Sequence, residues 1–163
     1  MKELYLIRHA KSSWGNSELK DFDRPLNQRG LVSAPEMGRR LANKNLIPDA
    51  ILSSTAVRAM STAKLVLDQL ESHAEIIKES TAYHASIFSL LEIVNSISND
   101  LNVVFLVGHN PGLTGFAEYL TNEQFGNLPT AAVVGIRFNI EDWAHISGST
   151  GSLLLYDYPK KAS

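Results

Sequence analysis

The sequence contains no cysteine. That excludes disulfides, thiolate zinc centres, iron–sulfur ligation and every mechanism built on a cysteine nucleophile. An excess of positive charge is also missing: 15 Lys and Arg against 17 Asp and Glu give a formal net charge of −2, with a pI near 6.2. The basic footprint of a nonspecific nucleic-acid binder is therefore absent. Long apolar runs are lacking too. No stretch approaches the ~18 consecutive apolar residues of a membrane span. The N-terminal run Leu4-Tyr5-Leu6-Ile7 sits between Lys2-Glu3 and Arg8 and does not read as a signal peptide. These absences predict a cytoplasmic protein with no nucleic-acid or membrane partner. What is present suits one domain over residues 1–163: 44% apolar residues for a core and 20% charged residues for a surface. At this length roughly 70% of the unfolded chain's surface can be buried on folding.

Short apolar runs alternate with stretches of helical period. Residues 3–7, 49–53 and 75–78 read as strands. Residues 103–107 are the most apolar run and read as a central strand, and 131–138 and 152–158 add two more, separated by a turn around Gly148 and Gly151. Leu31, Ala34, Met37 and Leu41 recur at helical spacing, with Asn27 as N-cap and Asn45 as the stop. Pro35 falls inside that pattern, which predicts a later start or a kinked first turn. Residues 56–70, 86–98 and 111–121 carry the same period, the last with Pro111 in its first turn. Residues 10–27 are polar and irregular, a longer loop than most. The alternation predicts an α/β domain of three layers, with a mostly parallel central sheet flanked by helices.

In open α/β sheets ligands bind at the carboxyl ends of the strands. The first strand ends in Arg8-His9. The second ends in Ser53-Ser54, with Arg58 one helical turn beyond, and the central strand ends in Gly108-His109-Asn110-Pro111-Gly112. Two arginines and two histidines thus converge on one sheet edge, where no carboxylate pair accompanies them. Singly, each piece is an ordinary surface loop, an ion pair or a helix entry capped by Asn110. Together they describe an anion pocket containing imidazoles. His73 reads as structural at a helix end, His145 as solvated in a turn, and His84 as lying near the same carboxyl edge. His9 and His109 have no further ligand at helical or hairpin spacing, so no metal site is expected.

These motifs resemble the histidine phosphatase superfamily, the phosphoglycerate mutase-like proteins, and are most similar to its small bacterial phosphohistidine phosphatases of the SixA type. The resemblance covers nearly the whole chain. It begins with Leu6-Ile7-Arg8-His9-Ala10-Lys11-Ser12-Ser13-Trp14, where Ala10 replaces the usual glycine, and continues through Asp23-Arg24-Pro25-Leu26 and Arg29-Gly30. Ser53-Ser54-Thr55-Ala56-Val57-Arg58-Ala59 with Thr62-Ala63 follows, and then Val107-Gly108-His109-Asn110-Pro111. The resemblance implies a phosphoglycerate mutase-like fold and His9 as a nucleophile that takes up the phosphoryl group. It implies that Arg8, Arg58 and His109 surround the phosphate oxygens, and that no cofactor is needed. Such a set suits phosphoryl transfer, whose charge spreads over three equatorial oxygens and whose catalysis is positioning by cations. A phosphate or sulfate ion is the expected occupant of the pocket.

The sequence departs from the family where larger members carry a glutamate as general acid. Here the segment reads Thr81-Ala82-Tyr83-His84-Ala85-Ser86, so His84 stands in that place and is expected at the pocket rim as proton donor or leaving-group contact. Asp21 and Asp23 are the carboxylate alternatives. Free imidazole is only partly protonated at neutral pH, which fits a labile P–N substrate better than a phosphate ester. The segment between Arg58 and the central strand is too short to hold the covering insertions of sugar-phosphate members. The expected activity is hydrolysis of phosphohistidine on a protein partner, in preference to a mutase reaction, which must exclude water. The alternatives are a phosphatase for small phosphate esters (sugar phosphates or nucleotides) and a non-catalytic phosphate-binding module.

Overall fold

The computed structural model describes residues 1–162. Its strands are β1 (Lys2–Arg8), β2 (Ala50–Ser53), β3 (Glu75–Lys78), β4 (Val103–Gly108), β5 (Val133–Phe138) and β6 (Gly151–Asp157). Its α-helices are α1 (Gln28–Asn43), α2 (Val57–Leu67), α3 (Ile87–Asn95) and α4 (Gly112–Thr121). One six-stranded sheet runs in the order β3-β2-β4-β1-β5-β6. The first four strands in sequence are mutually parallel, and β5 lies antiparallel between β1 and β6. Every strand except β5 therefore ends at one edge, and β5 begins there.

Strand periodicity builds the three layers. In β1, Leu4 and Leu6 point to one face and Tyr5 and Ile7 to the other; in β4, Val104 and Leu106 oppose Phe105 and Val107. The first set packs under α3 and α4 through Leu90, Val94, Leu113, Phe116 and Leu120. The second packs under α1 and α2 through Met37, Leu41, Ala59, Ala63 and Val66. Each such side chain contributes about 1.5–3 kcal/mol by leaving water. These two cores clamp the middle of the sheet and fix the strand ends that matter below.

Three local expectations change. Helix α1 runs without interruption through Pro35; the carbonyl that loses its donor belongs to Leu31, a half-exposed residue on the outer side of the helix. Its start is as expected, with the Asn27 side chain accepting from the Gly30 N–H. Helix α2 ends at Leu67, well short of residue 70, so His73 lies in an exposed connection and not at a helix end. The loop over residues 10–27 is organised: Ser12 bridges Leu26 in antiparallel fashion and Asp21–Asp23 form a 3-10 turn. Helix α1 is pressed against the chain leaving β1. The Asn27 N–H donates to the Lys11 carbonyl at 2.9 Å, and a Cβ on Gly30 would lie 2.2 Å from that same oxygen, so only glycine fits there.

Candidate active site

The exits of β1, β2 and β4 meet above the sheet. His9 directly follows β1, with its N–H bonded to the Gly108 carbonyl at the end of β4. Its ring is buried, 7% exposed, and stands 5.1 Å from the His109 ring, centroid to centroid. His9 Nδ1 lies 2.7 Å from its neighbour's carbonyl, Ala10 O. A carbonyl can only accept, so Nδ1 carries the proton and the lone pair sits on Nε2. The Ala10 N–H is in turn held by Thr62 Oγ1 at 2.9 Å, and that hydroxyl donates to the Arg58 carbonyl at 2.7 Å. Helix α2 thus ties the backbone beside His9 to the arginine it presents. Burial first, and then the Arg58, Arg8 and Arg24 charges, push the His9 pKa down to about 4. At neutral pH the ring is therefore uncharged.

His109 is treated in a similar way. Burial, followed by the His9 ring and Arg58, lowers its pKa to about 3. Its Nε2 lies 2.7 Å from Ser54 Oγ, and Ser54 Oγ already accepts from the Ala56 N–H at 3.2 Å. With the Ser54 hydroxyl proton pointed at Nε2, the imidazole proton sits on Nδ1. His109 can then donate from Nδ1 while remaining neutral. That nitrogen is buried and has no partner.

Arg8 and Arg58 complete the cluster. Arg8 Nη1 donates to the Leu128 carbonyl at 2.8 Å, in a turn held by Asn110, whose amide also donates to Leu128 O. Burial and the neighbouring Arg58 lower the Arg8 pKa. Arg58 is 4% exposed and donates to Asp21, from Nη1 to its carbonyl at 2.6 Å and from Nη2 to Oδ2 at 3.0 Å. The Nε atoms of both arginines are buried without partners. A buried donor left unpaired costs about 1–3 kcal/mol. Three such atoms (Arg8 Nε, Arg58 Nε and His109 Nδ1) belong to residues gathered around the neutral His9 imidazole, a set whose chemistry suits a cradle for a tetrahedral oxyanion.

Asp21 sits at the rim of this cluster. Its Oδ2 also accepts from the Tyr83 hydroxyl at 2.5 Å, and Oδ1 from Arg24 Nε at 3.1 Å. The Tyr83 hydroxyl, with Arg58 and Arg24, holds the Asp21 carboxyl well below the usual carboxylate range. Asp21 is thus an ionised acceptor that orients Arg58. Asp23 is exposed and shares its 3-10 turn. His84 is 68% exposed, with Nε2 3.7 Å from Asp21 Oδ2. It has left-handed backbone at φ 52° and a ring 4.0 Å from that of Tyr83. Tyr83 was not singled out by its sequence position, although its ring also meets His109 edge-on at 5.4 Å. Ser54 and Thr62 were visible only as letters of a motif. Among the described residues no group of three or more His, Asp or Glu side chains is arranged to hold a metal. Nor is any helix among them long and apolar enough to cross a membrane.

Residues 4–81 match the family model of the histidine phosphatase superfamily, branch 1. The chain belongs to that superfamily. An uncharacterized chloroplastic protein of Arabidopsis thaliana is 31% identical to this superfamily member over 134 residues, which cover 74% of this chain and 59% of that protein. An uncharacterized protein of a Picosynechococcus species is 31% identical over 141 residues, 83% of this chain and 84% of that one. Among solved structures, the provisionally assigned phosphohistidine phosphatase SixA of Agrobacterium tumefaciens superposes with a TM-score of 0.82 at 26% identity, covering 97% of this chain and 99% of that one. The six-stranded mixed sheet flanked by helices is the phosphoglycerate mutase-like fold.

Proposed function

We propose that this superfamily member is a phosphatase that removes the phosphoryl group from phosphohistidine on a protein, through a covalent phosphohistidine at His9. The observation that carries the reading is the trio of buried, unpartnered donors around a neutral His9 whose Nε2 is available for attack. Arg8 Nε, Arg58 Nε and His109 Nδ1 take the three equatorial oxygens. His9 Nε2 forms a bond to phosphorus as the bond from phosphorus to the substrate imidazole breaks. The substrate imidazole departs as a neutral molecule when its distal nitrogen already carries a proton, so the bridging nitrogen needs no acid. Water then attacks the phosphorus on His9, releasing inorganic phosphate and restoring the free imidazole.

An alkoxide leaving group would need a proton at the bridging oxygen. Asp21 is ionised, and His84 is the remaining candidate acid at the rim beside Tyr83. Its place there supports a second reading, a phosphatase for small esters with His84 as general acid. The test compares wild type with His9→Ala on a phosphohistidine-bearing protein and on a panel of small phosphate esters, with the enzyme trapped at alkaline pH. Wild type should carry an alkali-stable, acid-labile phosphate and turn over the protein substrate faster than any ester; His9→Ala should do neither. Undiminished hydrolysis by His9→Ala overturns the nucleophile. Faster turnover of an ester selects the second reading, and phosphate binding without phosphorylation of His9 selects a non-catalytic module.

A further inference from the structure

The edge that carries the phosphate cradle has a second half. A cavity of about 630 Å³ opens beside the cradle, lined by Lys11, Arg29, Val32, Pro129, Tyr158 and Lys160 among others. Each wall comes from a segment at the carboxyl edge of the sheet: the exit of β1, the first turns of α1, the approach to β5 and the exit of β6. The cradle occupies the β1–β4–β2 half of that edge and this groove the β1–β5–β6 half. They share the chain leaving β1. Lys11 follows His9 by two residues, at most about 7 Å of chain. The opposite wall is anchored to the nucleophile as well, because the Ala131 N–H reaches the Arg8 and His9 carbonyls at 3.1 Å each.

The groove is built into the fold. Arg40 straps the chain after β6 to α1, donating to Asp157 Oδ1, the Tyr158 carbonyl and the Pro159 carbonyl, each at 3.0 Å. Its charge is one-sided. Lys11, Arg29 and Lys160 are exposed and take part in no ion pair among the described residues. The carboxylate in the lining, Glu36, is already neutralised by Arg39 at 2.9 Å and Arg40 at 3.3 Å. Three uncompensated cations thus gather in one place on a chain whose net charge is −2. Between them lie Val32, 59% exposed, and the Pro129, Tyr158 and Pro159 surfaces, which suit the backbone and apolar side chains of an extended segment.

We propose that this groove docks an acidic segment of the phosphorylated protein, flanking the phosphohistidine that enters the cradle. The inference rests on the phosphohistidine reading and adds a rule for substrate choice. Opposite charge across such a surface steers encounter and selects partners, and it weakens with salt.

The test uses the full chain with Arg29→Glu and Lys160→Glu together, residues that line the groove and make no hydrogen bond or ion pair to the His9 cluster among the described residues. Three substrates are compared: a small phosphoramidate such as phosphorylated imidazole, a phosphohistidine peptide flanked by Asp and Glu, and one of equal length flanked by Ser and Gly. The double variant should lose about tenfold or more in kcat/KM on the acidic peptide, mainly through KM. It should keep wild-type rates on the small phosphoramidate and on the neutral peptide. Equal rates of wild type and variant on the acidic peptide, or an equal loss on all three substrates, overturns the proposal. Fluorescence anisotropy with the unphosphorylated acidic peptide reads docking without catalysis. Salt-sensitive binding to wild type but not to the variant supports the groove even if no phosphoramidate is hydrolysed, and absence of that binding refutes it even if one is.

Discussion

Two buried imidazoles held neutral should make the fold sensitive to mild acid. In the unfolded chain a histidine titrates near 6.5, whereas His9 is lowered to about 4 and His109 to about 3 by burial and the surrounding arginines. The unfolded state therefore takes up protons that the folded state refuses. Stability is fully present above pH 6.5 and is lost as the pH falls from there toward the folded values. At pH 5 each histidine costs about 2 kcal/mol, 1.5 pH intervals below the unfolded value at 1.36 kcal/mol each. The pair gives an upper figure of about 4 kcal/mol, since the two rings interact. The assay is urea unfolding at pH 7.5 and pH 5 at constant ionic strength, in buffers free of phosphate and sulfate, for wild type and for the His9→Asn, His109→Asn double variant. Subtracting the double variant cancels the exposed histidines and the carboxylates. A wild-type excess loss of 2–4 kcal/mol is expected. An excess below about 0.5 kcal/mol, or imidazole nitrogens of His9 and His109 that titrate near 6.5 in long-range proton–nitrogen NMR spectra, would refute the reasoning.

Asp21→Asn keeps the shape of the side chain but gives up charge-assisted bonds to Arg58 and Arg24. On a partly exposed group this should lower kcat about tenfold while phosphate affinity holds, because a fixed negative charge beside the anion is removed as well; equal losses in kcat and phosphate affinity count against a positioning role. His84→Ala separates the two functional readings by steady-state kinetics. A general acid contributes about 10²–10⁴-fold, so a loss of at least 10²-fold on esters marks His84 as the donor, and a loss of only severalfold on both substrate classes removes it from that role.

The parts of the site that lie at strand ends were legible in the sequence because strand ends obey a simple rule. An apolar run of three to five residues buried on both faces, followed by a change to Arg8-His9, Ser53-Ser54 or Gly108-His109, locates the carboxyl edge without knowledge of side-chain packing. The loop over residues 10–27 has no period, so nothing in it showed that Asp21 folds back onto Arg58 or that Arg24 follows at hydrogen-bonding distance. The proton positions were beyond reach for a different reason. They depend on Ser54 Oγ accepting from Ala56 and on Ala10 turning its carbonyl to His9, contacts of 3.2 and 2.7 Å that no spacing encodes. Pro35 misled because a helix tolerates a missing donor near its start and on its solvent side, where Leu31, four residues earlier, is half exposed.

The same proton positions bear on the choice of leaving group. Anion binding and proton supply are separate demands, and this site answers the first far more fully than the second. Arg8, Arg58 and His109 carry buried donors without partners, while every group that could deliver a proton, apart from exposed His84 at the rim, is otherwise committed. Asp21 is held ionised by Tyr83, Arg58 and Arg24. The Tyr83 hydroxyl is spent on Asp21, and burial together with that carboxylate raises its pKa. His9 holds its single proton on Nδ1 against Ala10, facing away from the phosphoryl group. In the tautomer that accepts from Ser54 at Nε2, His109 has its proton on Nδ1, which the proposed reading uses for a phosphate oxygen. Under the proposed reading, a pocket arranged in this way favours a reaction whose leaving group departs neutral without help. The imidazole expelled from a phosphohistidine is such a group, and the alkoxide expelled from an ester is not.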